Sequence, residues 1–382
     1  MTVTEASAPG KLFIAGEYAV VTPGHPSILV ALDQFITVSL EEADTTGTIR
    51  SAQYGGLPIP WTREEDQLVI DQRENPFLYI TEAVKVTERF IKESGIPLSY
   101  FHLSVKSELD NASGKKYGLG SSGAVTVATI KALLKFYAID PEFELVYKLA
   151  SLAHLSVKSN GSFGDIAAST YGGWIAYACF DREWVMEKAT ELTLTELLKT
   201  EWPQLMIRPL TPPANLRLVI GWTGSPASTT HLVDRVNDVR GGIDDFYKTF
   251  LGASKTCVNA MIAAFEKGDL QAIQAGIREN RLLLQQLTAH TGVVIETPPL
   301  TQLCDLAEKN LGAAKSSGAG GGDCGIVIID RQSGIIPLIS EWEKVGIMNL
   351  PLRVFKYVRA AAPIEWKGAS ECRLIQTEKT ST

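Results

Sequence analysis

The run KKYGLGSSGAVTV, residues 115–127, sets Gly118, Gly120 and Gly123 in the order G-x-G-x-x-G. Two incompatible architectures share that order, so its surroundings constrain the fold more than any other stretch does. A dinucleotide-binding fold needs a strand running into the first glycine and a second strand, about twenty residues on, ending in an acidic residue. Here the nearest strand-like run ends near Leu109, and DNASGKKY intervenes. Asp140 stands at the right distance, but Val127, Ile130, Leu134 and Tyr137 recur at helical steps and leave no room for that strand. The dinucleotide reading fails on context.

A phosphate-binding loop needs no such context. Gly118 and Gly120 let the backbone approach a ligand without a Cβ in the way. Ser121 or Ser122 is a candidate cap for the following helix, whose unpaired N–H groups and dipole favour an anion. Lys115 and Lys116 add charge at the rim. The pattern G-x-x-x-x-G-K-[ST] is absent, so this is no ordinary P-loop. A second glycine-rich run, KSSGAGGGDCG at 315–325, leads into the strand-like CGIVIID. Its glycines carry a large backbone entropy cost, which points to close approach of backbone to a ligand. A third element, APGKLFIAGEYAVV at 8–21, places Lys11 at the start of a strand and Glu17 at the turn after it.

At 382 residues the chain has room for two to three domains of ordinary size. A formal net charge of −7 without a long basic run argues against nucleic acid and anionic membrane as partners. No basic leader or uninterrupted apolar span is seen. Five scattered cysteines, without a C-x-x-C pair, are read as reduced thiols in a cytoplasmic protein with no zinc site.

Strands are expected at Lys11–Ile14, Phe35–Leu40, Phe101–Val105, Trp174–Ala178, Leu216–Trp222 and Cys324–Asp330. A helix is expected from a cap at Asn75 to a stop at Gly95, and another between Thr297 and Gly312. LTPPAN, 210–215, is a hinge candidate because paired prolines continue neither a helix nor a central strand. The domains are therefore placed at 1–213 and 214–361, with a polar tail at 362–382. The strand–helix order is too irregular for a doubly wound sheet.

Taken together, APGKLFIAGEYAVV, KKYGLGSSGAV and KSSGAGGGDCGIVI resemble the three motifs of the GHMP kinases, in their usual order. SNGSFGDIAASTYGGWIAY (159–177) and VIGWTGSPASTTHLV (219–233) are similar to the phosphomevalonate kinase branch of bacteria. The resemblance implies a two-domain α+β fold: an N-terminal ribosomal-protein-like domain with the nucleotide loop, and a helix-rich, ferredoxin-like C-terminal domain. It implies a monomer or homodimer that transfers the γ-phosphoryl group of ATP, with Mg²⁺, to 5-phosphomevalonate.

Carried over position by position, Lys116, Gly118, Leu119, Gly120, Ser121, Ser122, Gly123 and Ala124 would hold the nucleotide. Lys11, Asp165 and Ser122 would be catalytic, with the Ser122 hydroxyl either near Mg²⁺ or simply capping the helix. Lys11, Tyr18, Ser162, Ser225, Ser317, Gly318, Ala319 and Gly320 would face the acceptor. Thr223 and Ser228 join Ser225 in a turn that either presents hydroxyls to an anion or is an ordinary polar turn. Mevalonate kinases carry a metal-binding Glu eleven positions before the aspartate. This chain has His154, read as a core histidine, which argues against mevalonate as the acceptor.

A phosphate monoester has its second pKa near ~6 and is already an anionic nucleophile at neutral pH. Removing a proton is then a small part of the task. Each pair of like unit charges about 4 Å apart costs roughly 4 kcal/mol at an effective dielectric near 20. A fixed cation between the two phosphates matters more, and the resemblance makes it Lys11.

Overall fold

The computed structural model describes residues 3–52, 55–65, 67–70, 77–109, 117–224, 232 and 245–357. In the first half, β1 (Thr4–Ala15), β2 (Pro26–Ala43), β3 (Gly47–Ser51), β4 (Ile59–Glu64), β5 (Gln67–Ile70), β6 (Tyr100–Ser107), β7 (Trp174–Ala178) and β8 (Met206–Leu210) form one sheet. Its order is β5-β4-β3-β6-β2-β7-β8, with β1 paired to β2. Helices α1 (Leu78–Glu93), α2 (Ser121–Phe136), α3 (Phe143–Ser156) and α4 (Gly164–Tyr171) pack together, with α2 and α4 against β1. They are followed by α5 (Arg182–Glu191) and α6 (Leu194–Lys199). In β1, burial alternates at first and is continuous from Ala8, where the helices cover the strand.

After residues 211–215, β9 (Leu216–Trp222) opens a second, antiparallel sheet of order β10-β11-β9-β12. Its other strands are β10 (Ala313–Ser316), β11 (Cys324–Asp330) and β12 (Met348–Leu350). The helices of this half are α7 (Asp245–Lys267), α8 (Leu270–Thr291), α9 (Pro298–Lys309) and α10 (Ile336–Lys344). Two separate sheets, on either side of residues 211–215, make an α+β architecture rather than a doubly wound one. One apolar core nevertheless runs through both halves.

Two local expectations are corrected. The first helix begins at Leu78, with Phe77 at its cap position and no side-chain cap bond; Asn75 lies outside the described residues. The cap of α2 is Gly120 itself, in the left-handed region, while Ser121 and Ser122 are the first helical residues. Glycine adopts that conformation without the Cβ penalty, and it brings no side chain to occupy the first N–H groups of the helix.

Residues 351–357 leave the second sheet and return across the first. Phe355 N donates to Ala31 O (2.9 Å), and Gly173 N donates to Phe355 O (2.6 Å). At the end of this strap the Tyr357 hydroxyl accepts from Lys131 Nζ at 2.6 Å and donates to Ser169 O at 3.2 Å. The Lys131 amine lies over the Tyr357 ring, 4.3 Å from its centroid. Burial, with Lys135 adding repulsion, pulls the Lys131 pKa down to about 7.

The folded value lies below the unfolded one of about 10.4, so the unfolded chain binds more protons between them and stability rises with pH across that window. The native protein should gain about 2 kcal/mol between pH 7 and pH 9 that Lys131→Met does not gain. Urea unfolding of both at the two pH values checks this; equal pH responses would contradict it.

Candidate active site

The three glycines of the first loop come together with side chains from the other motifs. Gly118 and Gly120 have φ of +77° and +79°, open to glycine and strained for other residues. A Cβ on Gly118 would lie 2.6 Å from Asp323 Cγ, and one on Gly120 would lie 2.7 Å from Lys11 Cε. A Cβ on Gly123 would lie 2.8 Å from Asp165 Oδ2. Each glycine thus leaves room for a charged side chain from a distant segment. Here α2 begins without a side-chain cap, so its first N–H groups are available to an anion.

The backbone fixes these side chains. Between Pro9 and Lys11 the β1–β2 register shifts, and Lys11 N donates to Leu119 O at 2.8 Å instead of to the sheet. That irregularity turns β1 toward the loop. Lys11 is 9% exposed. Burial pulls its pKa below the ordinary value, opposed by Asp165 and then Asp323, with smaller help from Cys324 and Glu17. Asp165 sits in the first turn of α4, held against the sheet by the close packing of Gly164 on Phe13 and Leu29.

The second glycine-rich run is joined to the first strand. Buried Lys315 pairs with buried Glu17, and Gly318 N donates to the same Glu17 oxygen at 3.3 Å. The Ser317 hydroxyl donates to Phe13 O (2.8 Å), and the Tyr18 hydroxyl donates to Ala319 O (2.5 Å). Ser317 and Tyr18 therefore spend their hydroxyl protons inside the protein, shaping the loop at Gly318 and Ala319. The glycines here differ in purpose. A Cβ on Gly320 would strike Ile295 O, and one on Gly325 would lie 2.7 Å from Leu303 Cδ2 and 2.9 Å from its Cδ1. In both, the missing Cβ makes room for protein packing; Gly318, at φ +75°, has no atom within 4 Å of such a Cβ.

Ser162 lies just before α4, its Oγ accepting from Gly164 N at 3.3 Å. Lys115, Lys116, Ser225 and Ser228 lie outside the described residues. Thr223 donates through both N (3.0 Å) and Oγ1 (3.1 Å) to Asp323 O. His154 is buried, 3.0 Å from the Thr126 hydroxyl and tilted against the Tyr79 ring at 4.8 Å between centroids. Burial lowers its pKa, in keeping with a neutral core imidazole.

Sequence reasoning missed Asp323 and Cys324. Both lie within KSSGAGGGDCG, where no spacing distinguishes them from the glycines around them. The Cys324 thiol, its pKa pushed up by burial, donates to Tyr117 O at 3.2 Å. Among the described residues no group of three or more His, Cys, Asp or Glu side chains is arranged to hold a metal ion.

The GHMP kinases N terminal domain matches residues 79–173, and the GHMP kinases C terminal domain matches residues 261–347. The phosphomevalonate kinase of Streptomyces sp. (strain CL190) is 40% identical over 357 residues, which is 90% of this chain and 95% of that protein. The chain belongs to the GHMP kinase family.

Within the family, Streptococcus pneumoniae phosphomevalonate kinase in complex with phosphomevalonate and AMPPNP superimposes with a TM-score of 0.80 at 30% identity, covering 93% of this chain and 100% of that one. The mevalonate kinase of Thermococcus sibiricus is more distant, 27% identical over 90% of this chain and 97% of its own. The chain is thus nearer in sequence to the Streptomyces phosphomevalonate kinase than to that mevalonate kinase.

Proposed function

We propose that this protein transfers the γ-phosphoryl group of ATP to the phosphate of 5-phosphomevalonate, giving 5-diphosphomevalonate and ADP. Phosphoryl transfer of this kind is supported above all by one observation: Lys11, Asp165 and Asp323, from three distant segments, all pack on the glycines of one loop at an uncapped helix start. The acceptor is supported by the relation to the two phosphomevalonate kinases.

In this reading, Gly118–Ala124 cradle the triphosphate with main-chain N–H groups, and Lys11 stands between the γ-phosphoryl group and the acceptor phosphate. An acceptor oxygen forms the new P–O bond as the bond from the γ-phosphorus to the bridging oxygen breaks, and ADP leaves with that electron pair. Since the acceptor arrives largely ionised, Asp165 chiefly orients Lys11. Ser162, Gly318 and Ala319 line the acceptor side.

Mg²⁺ fits the residues present. It takes few protein ligands beside substrate phosphates, and the Ser122 hydroxyl and Asp165 carboxylate offer hard oxygen donors near the start of α2. Bound there with the nucleotide, it would supply charge neutralisation of the phosphates. The proposed domains are 1–213 and 214–361, the boundary falling in the segment that joins the two sheets. A cytoplasmic location is supported by four free, buried cysteines among the described residues. No helix among those residues is long and apolar enough to cross a membrane.

ADP release with 5-phosphomevalonate, mevalonate and 5-diphosphomevalonate tests the assignment. Phosphomevalonate should exceed mevalonate in kcat/KM by at least about 10³-fold, since a site built for a charged group rejects the analogue lacking it, and 5-diphosphomevalonate, longer by a phosphoryl group, should also be the poorer acceptor. Comparable turnover with mevalonate would overturn it.

A further inference from the structure

We propose that Asp323 is a positioning residue for the phosphoryl transfer, a second carboxylate that works with Asp165 to hold the Lys11 ammonium in place. The proposal rests on the reading of Lys11 as the bridging cation.

Asp323 has φ of +55°, a sparsely populated conformation for a residue with a side chain. Its carbonyl is pinned by the two bonds from Thr223, at 3.0 and 3.1 Å. That conformation sends the carboxylate onto Gly118, into the space a Cβ would need. The next residue, Cys324, bonds Tyr117 O. The segment 323–324 therefore grips residues 117–118, while the Lys11 stem lies on Gly120, two residues further along.

The consequence is electrostatic as well as steric. Lys11 is buried where its charge is disfavoured, and among the groups that favour the charge Asp323 stands next to Asp165. The two carboxylates reach the loop at opposite ends, Asp323 at Gly118 and Asp165 at Gly123. A long, flexible amine with one counter-ion can swing about it. With carboxylates at both ends of the same loop, Lys11 is held over the loop before the phosphates arrive. Asp323 itself need touch neither substrate.

A double-mutant cycle separates this role from a merely structural one, because residues acting through one another lose additivity. Asp323→Asn keeps the side-chain volume and is expected to lower kcat about 10–50-fold, with KM for ATP and for 5-phosphomevalonate within about threefold of native. In a Lys11→Met background, read in single-turnover experiments with enzyme in excess, Asp323→Asn should lower the rate less than about twofold further. Equal fold-losses in both backgrounds, or a native kcat for Asp323→Asn, would overturn the proposal.

Asp323→Gly removes the carboxylate at a φ that glycine adopts freely. It should reproduce the Lys11-dependent loss even if the asparagine variant folds poorly, and a native kcat for it would again overturn the proposal. Native turnover in Lys11→Met alone would mark the failure of the underlying Lys11 reading. A large loss there, with an additive Asp323 effect, would sink the Asp323 role only.

Discussion

Lys11→Met is expected to lower kcat about 10³-fold while changing KM for ATP far less. Methionine keeps an unbranched stem of similar length, so the packing over Gly120 survives and the charge alone is lost. The magnitude follows from the repulsion it leaves behind. Two polyanions must bring oxygens within bonding distance, and each unscreened pair of unit charges near 4 Å costs roughly 4 kcal/mol at an effective dielectric near 20. A thousandfold loss corresponds to about 4 kcal/mol, so the prediction asks Lys11 to offset the equivalent of one such pair. Steady-state ADP release checks it. A Lys11→Met enzyme within tenfold of native turnover would show that the transfer proceeds without this cation.

Gly123→Ala should lower kcat about 10²-fold without lowering the melting temperature. Gly123 lies inside α2 and has no positive φ. Alanine at such a position ordinarily stabilises a helix by about 1 kcal/mol. Here the new Cβ would sit 2.8 Å from Asp165 Oδ2, 2.9 Å from its Cγ and 3.2 Å from its main-chain carbonyl carbon, so the carboxylate must move and the start of α4 give by a few tenths of an ångström, which offsets the helix gain. Activity and stability are therefore expected to part company. Thermal melts and kinetics on the same preparation would settle it, and native kcat in a stable Gly123→Ala protein would mean that Asp165 is not needed where it lies.

The parts of this fold that were legible in the sequence have a common cause. Trp174–Ala178, Leu216–Trp222 and Cys324–Asp330 are apolar runs bounded by breakers, and they coincide with β7, β9 and β11. The strands β3 to β5, with only Trp61, Leu68 and a few other apolar positions amid polar ones, carry no sequence period that marks them as strands. For the nucleotide loop, the required glycines and the helix after them were visible, but the cap was assigned to serine by composition. The conformation of Gly120 decided otherwise.

The site was legible one motif at a time, because each segment carries its own glycine or charged residue at a turn. What joins the segments was not. Glu17 pairs with Lys315 across 298 residues, and no local pattern marks such a partner. Asp323 has no spacing signature either: its importance lies in the left-handed backbone and in the empty space above Gly118, both tertiary facts.

A crystal structure with a non-hydrolysable ATP analogue and 5-phosphomevalonate tests the central claim most directly. The β-phosphate is expected within hydrogen-bond distance of the main-chain N–H groups of residues 119–123, and Lys11 Nζ between the γ-phosphate and the acceptor phosphate. Phosphates seated away from that loop, or a Lys11 amine turned away from both ligands, would contradict it.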